Sequence, residues 1–507
     1  MKNSGWRGLG ASFVSGALLV LAFAPFGFWL LAPLCMVAFF SQLINSSPKV
    51  AMLRGLAFGL GLYGFGVSWV YVSLSTYGGM PFWMGSIAVL GFAGILASLI
   101  AIMAWLVARS TPAGSTLRLF MLPFAWCVFE WLKSWVLTGF PWLDLGYTQT
   151  DTWLSGWAPI GGVYLVSFMV CLISVLTSAI FKTREYRMIP LIAALIGLSW
   201  SANYINWTKD DGTALRVAIV QADVPINQKW QSDSRARVIE NYRTQSRALA
   251  AGSQLDLVVW PETALPIHLQ HLTPEFWQTS VPVGTALLTG LIDTPSLLDH
   301  APSYDRSYNA AALVCNVEDG VPQVYRKRHL VPFGEYLPLR FLFQWVLDYL
   351  ELPMSDFYAG SGMQPLSCGS RIKIGLSICY EDAFADEYRR YLGDAGILVN
   401  IGEDAWFGDS FAPHQRLQMA QMRARELSRP MVRSANSGPS AFIDHRGVIT
   451  AQSLQFTQAN LVERVYPQIG TTWYYRFGSW IVLFSGIIWL LAGLLSIVTA
   501  SRSNTGR

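Results

Sequence analysis

The feature that most constrains this chain is a series of apolar stretches, each near the length of one bilayer crossing. About 20 apolar residues make one helical span. Residues 9–25, 27–45, 55–76, 82–107, 118–137, 161–181, 188–205 and 478–500 approach that length. Composition agrees: 52% of the 507 residues are hydrophobic and 13% charged, about half the roughly 25% of a soluble protein. The first stretch follows Lys2 and Arg7 as a signal peptide would, but it runs through Ala24-Pro25-Phe26-Gly27 into the second and reads as a retained span. The 21 tryptophans suit a chain with much surface at the lipid–water boundary.

Charge alternates between the stretches. Lys2 and Arg7, Lys49 and Arg54, Arg109 and Arg118, then Lys182, Arg184 and Arg187, and finally Arg502 and Arg507 occupy every second connection. Residues 76–82 carry no Lys or Arg, and 138–160 carry Asp144 and Asp151 instead. The positive-inside rule then predicts eight spans with both termini cytoplasmic. Seven spans would put one terminus on the wrong side. The long insert 206–477 is therefore expected outside the cytoplasm. This predicts three regions: 1–205 with seven spans, 206–477 as a catalytic domain, and 478–507 as the eighth span and tail. A net charge of +4 with no clustered basic face argues against a nucleic-acid partner.

Within the insert, short runs rich in Val and Ile alternate with helical patterns. Leu215–Val220, Leu255–Trp260, Ala310–Val314, Ile372–Ile378 and Ile397–Ile401 read as buried strands, and 232–251 and 413–428 as helices. That alternation predicts an α/β layered domain. Residues 337–354 form an apolar, partly charged segment, too short for a span. It reads either as a core helix or as an arm on the membrane surface.

Reactive groups follow the strand ends, where α/β sheets place their sites. Glu262 follows Leu255–Trp260 in Trp260-Pro261-Glu262. Lys327 lies in Tyr325-Arg326-Lys327, before Pro332-Phe333-Gly334-Glu335. Cys379-Tyr380-Glu381 ends Ile372–Ile378, and Asp404-Ala405-Trp406-Phe407-Gly408 follows Ile397–Ile401. Taken singly, Cys379 reads as a buried thiol, Glu262 as a loop carboxylate or cap, and Lys327 as part of a solvated basic run. Together and in this order they resemble the nitrilase superfamily, whose Glu, Lys and Cys stand on an α-β-β-α sandwich. Such a domain among many spans is similar to the apolipoprotein N-acyltransferase family of bacterial lipoprotein maturation. The likeness extends to Ala24-Pro25-Phe26-Gly27 and to Gly139-Phe140-Pro141-Trp142 through Gly146-Tyr147. One departure is Asn400-Ile401-Gly402-Glu403-Asp404, where relatives commonly carry Ser-Asn before the Asp. Glu403 adds an acid there.

The resemblance implies Cys379 as nucleophile, Glu262 as general base and Lys327 as the cation that steadies thiolate and oxyanion, with a backbone N–H near Tyr380. Glu335 would orient Lys327 or the incoming amine. Trp230, Trp406 and Phe407 are candidates to touch substrate, or ordinary packed aromatics. It implies a bacterial inner-membrane enzyme with its catalytic domain on the periplasmic side. Its partners would be a phospholipid acyl donor, a diacylglyceryl apolipoprotein acceptor and the bilayer. The chain would be a monomer with no metal or cofactor. A membrane-anchored amidase acting on a small amide is the alternative. Cys315, Cys368 and Cys379 leave an odd thiol in the insert. A Cys315–Cys368 bond would free Cys379, but sequence does not decide it. His414, without metal-ligand spacing around it, reads as structural.

Overall fold

Alternate residues of a strand point to opposite faces, and two apolar cores follow from that. Leu215, Val217 and Ile219 pack with Ile374, Leu376, Ile378, Val399 and Ile401. Ala218 and Val220 of the same strand instead pack with Val238, Ile239 and Tyr242, which belong to the helix Ser232–Ala251. The computed structural model describes residues 2–184, 186–252, 254–294, 307–315, 320–338, 356–362 and 365–505. Residues 339–354 of the expected arm lie outside them.

The chain divides into two units. One comprises Met1–Ser75, Met80–Ile205 and Trp473–Arg507, the other Thr76–Gly79 and Asn206–Thr472. In the second unit the strands are β1 (Thr208–Asp210), β2 (Leu215–Gln221), β3 (Leu257–Val259), β4 (Ala286–Asp293), β5 (Tyr308–Val314), β6 (Gln323–Arg326) and β7 (Leu366–Cys368). They continue as β8 (Ile372–Ile378), β9 (Ile397–Gly402), β10 (Met431–Ala435), β11 (Ala441–Ile443), β12 (Ile449–Gln452), β13 (Ala459–Val465) and β14 (Gln468–Gly470). Among the described residues they form two six-stranded sheets, β13-β2-β3-β4-β5-β6 and β12-β11-β10-β9-β8-β7, and a β1-β14 pair. The first core lies between the two sheets. Ser232–Ala251 covers the outer face of one sheet, and Ala412–Leu427 packs on β10 and β11 of the other. The layering is α-β-β-α.

Direction within the sheets decides where loops gather. β2, β3 and β4 run parallel, as do β8, β9 and β10. β5 is antiparallel to β4, and β6 to β5, with Ala310 opposite Arg326. The start of β5 and the end of β6 therefore lie at the same edge as the carboxyl ends of β2, β3 and β4.

In the first unit each of the eight apolar stretches contains a helix: Lys2–Leu19, Leu31–Leu43, Pro48–Gly66, Phe82–Ser110, Thr116–Lys133, Ala158–Thr183, Met188–Ala202 and Trp480–Thr505. By length and composition alone two described helices can cross a membrane, Phe82–Ser110 and Trp153–Lys182. Pro48–Gly66 with Val70–Tyr77 would be a third if that pair, bent by 57°, is one span. Trp6–Ala22, Leu31–Leu43, Met188–Ala202 and Trp480–Gly493 are shorter apolar helices.

Two charges expected in connections are buried instead. Asp144 is 0% exposed and pairs with Lys133 at 2.9 Å. Arg118 is 2% exposed. It donates to the carbonyls of Ile44 (3.1 Å), Ser46 (2.6 Å), Ala108 (2.9 Å) and Thr111 (2.6 Å). The last carbonyls of a helix lack partners within it, and one planar guanidinium serves the ends of two helices here. Replacing it by an apolar side chain strands those buried carbonyls. Arg118→Leu is expected to lower stability by about 3 kcal/mol, read as an earlier unfolding midpoint of the detergent-solubilised protein. An unchanged midpoint would contradict the capping role.

Candidate active site

The centre of the site is an amide that no motif had indicated. Asn309 lies near the start of β5 and is 3% exposed. Its Nδ2 donates to Glu262 Oε1 at 2.6 Å and to Glu335 Oε1 at 2.7 Å. Lys327, which follows β6, completes the group: its Nζ lies 2.9 Å from Glu335 Oε1 and 3.7 Å from Glu262 Oε1. Its backbone N–H donates to the Asn309 carbonyl at 2.8 Å, so the register of β5 and β6 fixes both side chains. Glu335 Oε2 accepts from the Val331 N–H at 2.8 Å within its own turn. Glu262 differs. Its Oε1 is held, but its Oε2 is buried with no hydrogen-bond partner.

Glu262 reaches this position because Gly290 of β4 lets the loop after β3 approach closely. A Cβ on Gly290 would lie 2.4 Å from Thr263 N and 2.7 Å from Glu262 Cα. Close backbone approach of that kind admits only glycine.

Cys379 directly follows β8 with φ of 52°, a left-handed conformation that costs a residue with a Cβ about 1–2 kcal/mol. Its neighbours fix that turn. Glu381 Oε2 accepts from the Ile378 N–H (2.7 Å) and the Tyr325 hydroxyl (2.8 Å), and its Oε1 accepts from the N–H groups of Arg328 (2.8 Å) and His329 (3.2 Å). The Cys379 carbonyl accepts from Arg416 Nη2 (2.8 Å) and Asn400 Nδ2 (3.2 Å). Arg416 is itself paired with Asp404, which also binds Arg433 at 2.7 Å. Glu381 is ringed by neutral donors.

The electrostatics separate the thiol from the ammonium. Burial pushes the Cys379 thiol up to about 12; Arg416 and Lys327 pull it down and Glu262 pushes it further up. Burial opposes the charged form of Lys327, but Glu335 and Glu262 outweigh it and hold the ammonium above the ordinary lysine range. At neutral pH the lysine is a cation. A thiol with that pKa is about one part in 10⁵ thiolate at pH 7.

Glu262, Lys327 and Glu335 thus share one buried cluster with Asn309, and Cys379 lies near enough for the charges of Glu262 and Lys327 to act on its thiol; none of the four sequence-derived residues is more than 9% exposed. Tyr380 is 8% exposed, edge-on to Phe384 with ring centroids 5.0 Å apart. Trp406 and Phe407 are half-buried in the turn Ala405–Phe407. Trp406 is also edge-on to Tyr77, at 5.4 Å. Trp230 is 46% exposed, on the chain just after Lys229, whose Nζ donates to the Glu262 carbonyl at 3.1 Å. Cys315 and Cys368 form a disulfide, which leaves Cys379 a free thiol. Sequence reasoning missed Asn309, Arg416 and Asn436. Asn309 directly precedes Ala310–Val314, and a polar residue at the head of an apolar strand was the available signal.

Comparison with known proteins adds a second line of observation. Residues 15–176 match the apolipoprotein N-acyltransferase N-terminal domain, and 216–470 match the carbon-nitrogen hydrolase domain. The apolipoprotein N-acyltransferase of Methylococcus capsulatus is 38% identical over 499 residues, covering 97% of this chain and 95% of that protein. The chain belongs to the apolipoprotein N-acyltransferase family. Other members are equally extensive. That of Azotobacter vinelandii is 37% identical, covering 97% and 95% of the two chains, and that of Pseudomonas aeruginosa 36%, covering 98% and 96%. Both parts of the chain fall within this family, whose second part is a nitrilase-like α/β domain.

Thiol reactivity tests the electrostatics of the cluster. Alkylation of Cys379 by a small neutral reagent should rise about tenfold per pH unit and not level off below about pH 10. Lys327→Met should slow it at any given pH, since a neighbouring cation is removed. The measurement is modified-peptide mass against time. A plateau near pH 7 would contradict a neutral resting thiol.

Proposed function

We propose that this chain transfers an acyl chain from a membrane phospholipid to the N-terminal amine of the diacylglyceryl-cysteine of an apolipoprotein, through a thioester on Cys379. The observation that carries the reading is the state of Glu262. One oxygen is held by Asn309, the other is buried without a hydrogen-bond partner, and the charge of the carboxylate acts on the Cys379 thiol. A neutral thiol needs a base at the moment of attack, and Glu262 supplies one.

In the first half, Sγ attacks the ester carbonyl while the thiol proton passes to Glu262. Lys327 and the Tyr380 N–H stabilise the oxyanion. The intermediate collapses, the bond from carbonyl carbon to glycerol oxygen breaks, and Glu262 gives its proton to the departing lysophospholipid. In the second half, the acceptor amine attacks the thioester and loses a proton to Glu262. The C–S bond breaks and Glu262 returns that proton to sulfur. Glu335 fixes Lys327 throughout, and Trp230, Trp406 and Phe407 contact the acyl chain.

The wider setting belongs to the same proposal. The chain crosses a bacterial inner membrane eight times with both termini cytoplasmic, and acts as a monomer. Residues 1–205 carry seven spans and 478–507 the eighth with the tail. Residues 206–477 form the periplasmic catalytic domain. The alternation of basic connections supports this topology, as does a helix in each apolar stretch. An amidase acting on small soluble substrates would gain nothing from that apolar part.

Mixing the purified protein with phospholipid and no acceptor should add the mass of one acyl chain to Cys379. Cys379→Ser should show no thioester. Glu262→Gln should slow adduct formation by about 10²–10⁴-fold and Lys327→Met by about 10²–10³-fold. Intact-protein mass spectrometry checks all three. An acyl adduct that persists at full rate in Cys379→Ser would overturn the nucleophile.

A further inference from the structure

Outside the proposed catalytic cluster lies a second buried ion pair that the mechanism does not use. Lys229 Nζ is 2.8 Å from Glu403 Oε2, with side chains 1% and 5% exposed. Buried ion pairs are weak sources of stability, because desolvating two charges offsets most of their attraction. What distinguishes this one is what else the two groups bind. The same ammonium donates to the main-chain carbonyl of Glu262 at 3.1 Å. Glu403 Oε2 also accepts from Asn436 Nδ2 at 2.8 Å, and its Oε1 from the Ala405 N–H at 3.3 Å. Asn436 in turn accepts from the Val224 N–H at 3.0 Å and donates to the Val224 carbonyl at 2.8 Å.

The pair therefore ties together the loops that follow β2, β3, β9 and β10. Three of these carry groups of the proposed mechanism. The turn Ile226–Lys229 leads to Trp230, the loop after β3 carries Glu262, and the loop after β9 carries Trp406. Lys229 is the side chain that holds the Glu262 carbonyl from this side among the described residues. Turning that peptide would swing the carboxylate away from Asn309 and the thiol.

We propose that Lys229 and Glu403 are positioning residues, a buried ionic clamp that fixes the Glu262 main chain so that its free oxygen meets the Cys379 proton. The clamp acts through Glu262 and touches no substrate. This inference rests on Cys379 as nucleophile and Glu262 as base.

Single-turnover acylation separates positioning from mere support. Full-length protein is mixed with saturating phospholipid and no acceptor, and the Cys379 adduct is followed by intact mass. Glu403→Gln keeps size and shape but removes the charge, and its NH2 cannot accept, so the three donors that the two Glu403 oxygens serve cannot all keep their acceptors. The double variant Lys229→Met/Glu403→Leu replaces the pair by apolar groups and leaves no lone buried charge. For the single variant the rate constant should fall at least fivefold, and for the double variant at least tenfold. The amplitude should stay full and the half-saturating phospholipid concentration within twofold of the parent. A purely structural pair would instead lower the amplitude and the unfolding midpoint with the rate constant unchanged, and that result overturns the proposal. If the double variant does not fold, Glu403→Gln decides alone: a parental rate constant overturns the clamp. If the unsubstituted protein forms no adduct, the nucleophile reading fails and the clamp with it. A normal adduct in the parent with parental rates in the variants sinks the clamp only.

Discussion

The site depends on one ammonium held between two carboxylates. Lys327 lies 2.9 Å from Glu335 and 3.7 Å from Glu262, and Asn309 donates to both acids. Removing Lys327 would leave two buried carboxylates without compensation, which is far more costly than never having buried the set. The division of labour within it follows from counting donors. Glu335 is bound on both oxygens, so it orients. Glu262 is bound on one, so it has an oxygen left for chemistry. Two carboxylates against one ammonium leave the cluster net negative. Burial keeps the neighbouring thiol protonated until a proton acceptor takes over.

The sandwich supplies the precision this requires. Groups on rigid strand ends are held more tightly than groups on long loops. Glu262 follows β3, Asn309 lies near the start of β5, Lys327 follows β6 and Cys379 follows β8. The two sheets contribute different parts: the base, amide and ammonium come from one and the nucleophile from the other. The left-handed turn at Cys379 is a local strain. The four donors around Glu381 and the two donors on the Cys379 carbonyl hold it in place.

Much of this was legible in the residue order, for reasons that can be named. Ile372–Ile378 reads as a strand because it is an unbroken apolar run, and the structure places β8 at those residues. Ser232–Ala251 reads as a helix from its period. β10 was not recognised because its residues Met431-Val-Arg-Ser-Ala435 include a charge. Arg433 is nonetheless fully buried, paired with an aspartate that arrives from another loop. Asp144 and Arg118 were placed in connections because they are charged; Lys133 of the preceding helix and carbonyls that include those of Ile44 and Ser46 let them be buried. Glu262, Lys327 and Cys379 stood out because each belongs to a local motif. Asn309 and Lys229 did not, because their importance is purely spatial.

The account makes the thioester a true intermediate between two amphiphiles, and the most direct measurement isolates it. Acylated protein freed of phospholipid is mixed with a diacylglyceryl-cysteine peptide, and both masses are followed. The expected result is loss of the acyl chain from Cys379 matched by equal gain on the peptide amine, with little loss when no peptide is added. Release of free fatty acid at one rate with or without the peptide would contradict transfer and identify a hydrolase instead.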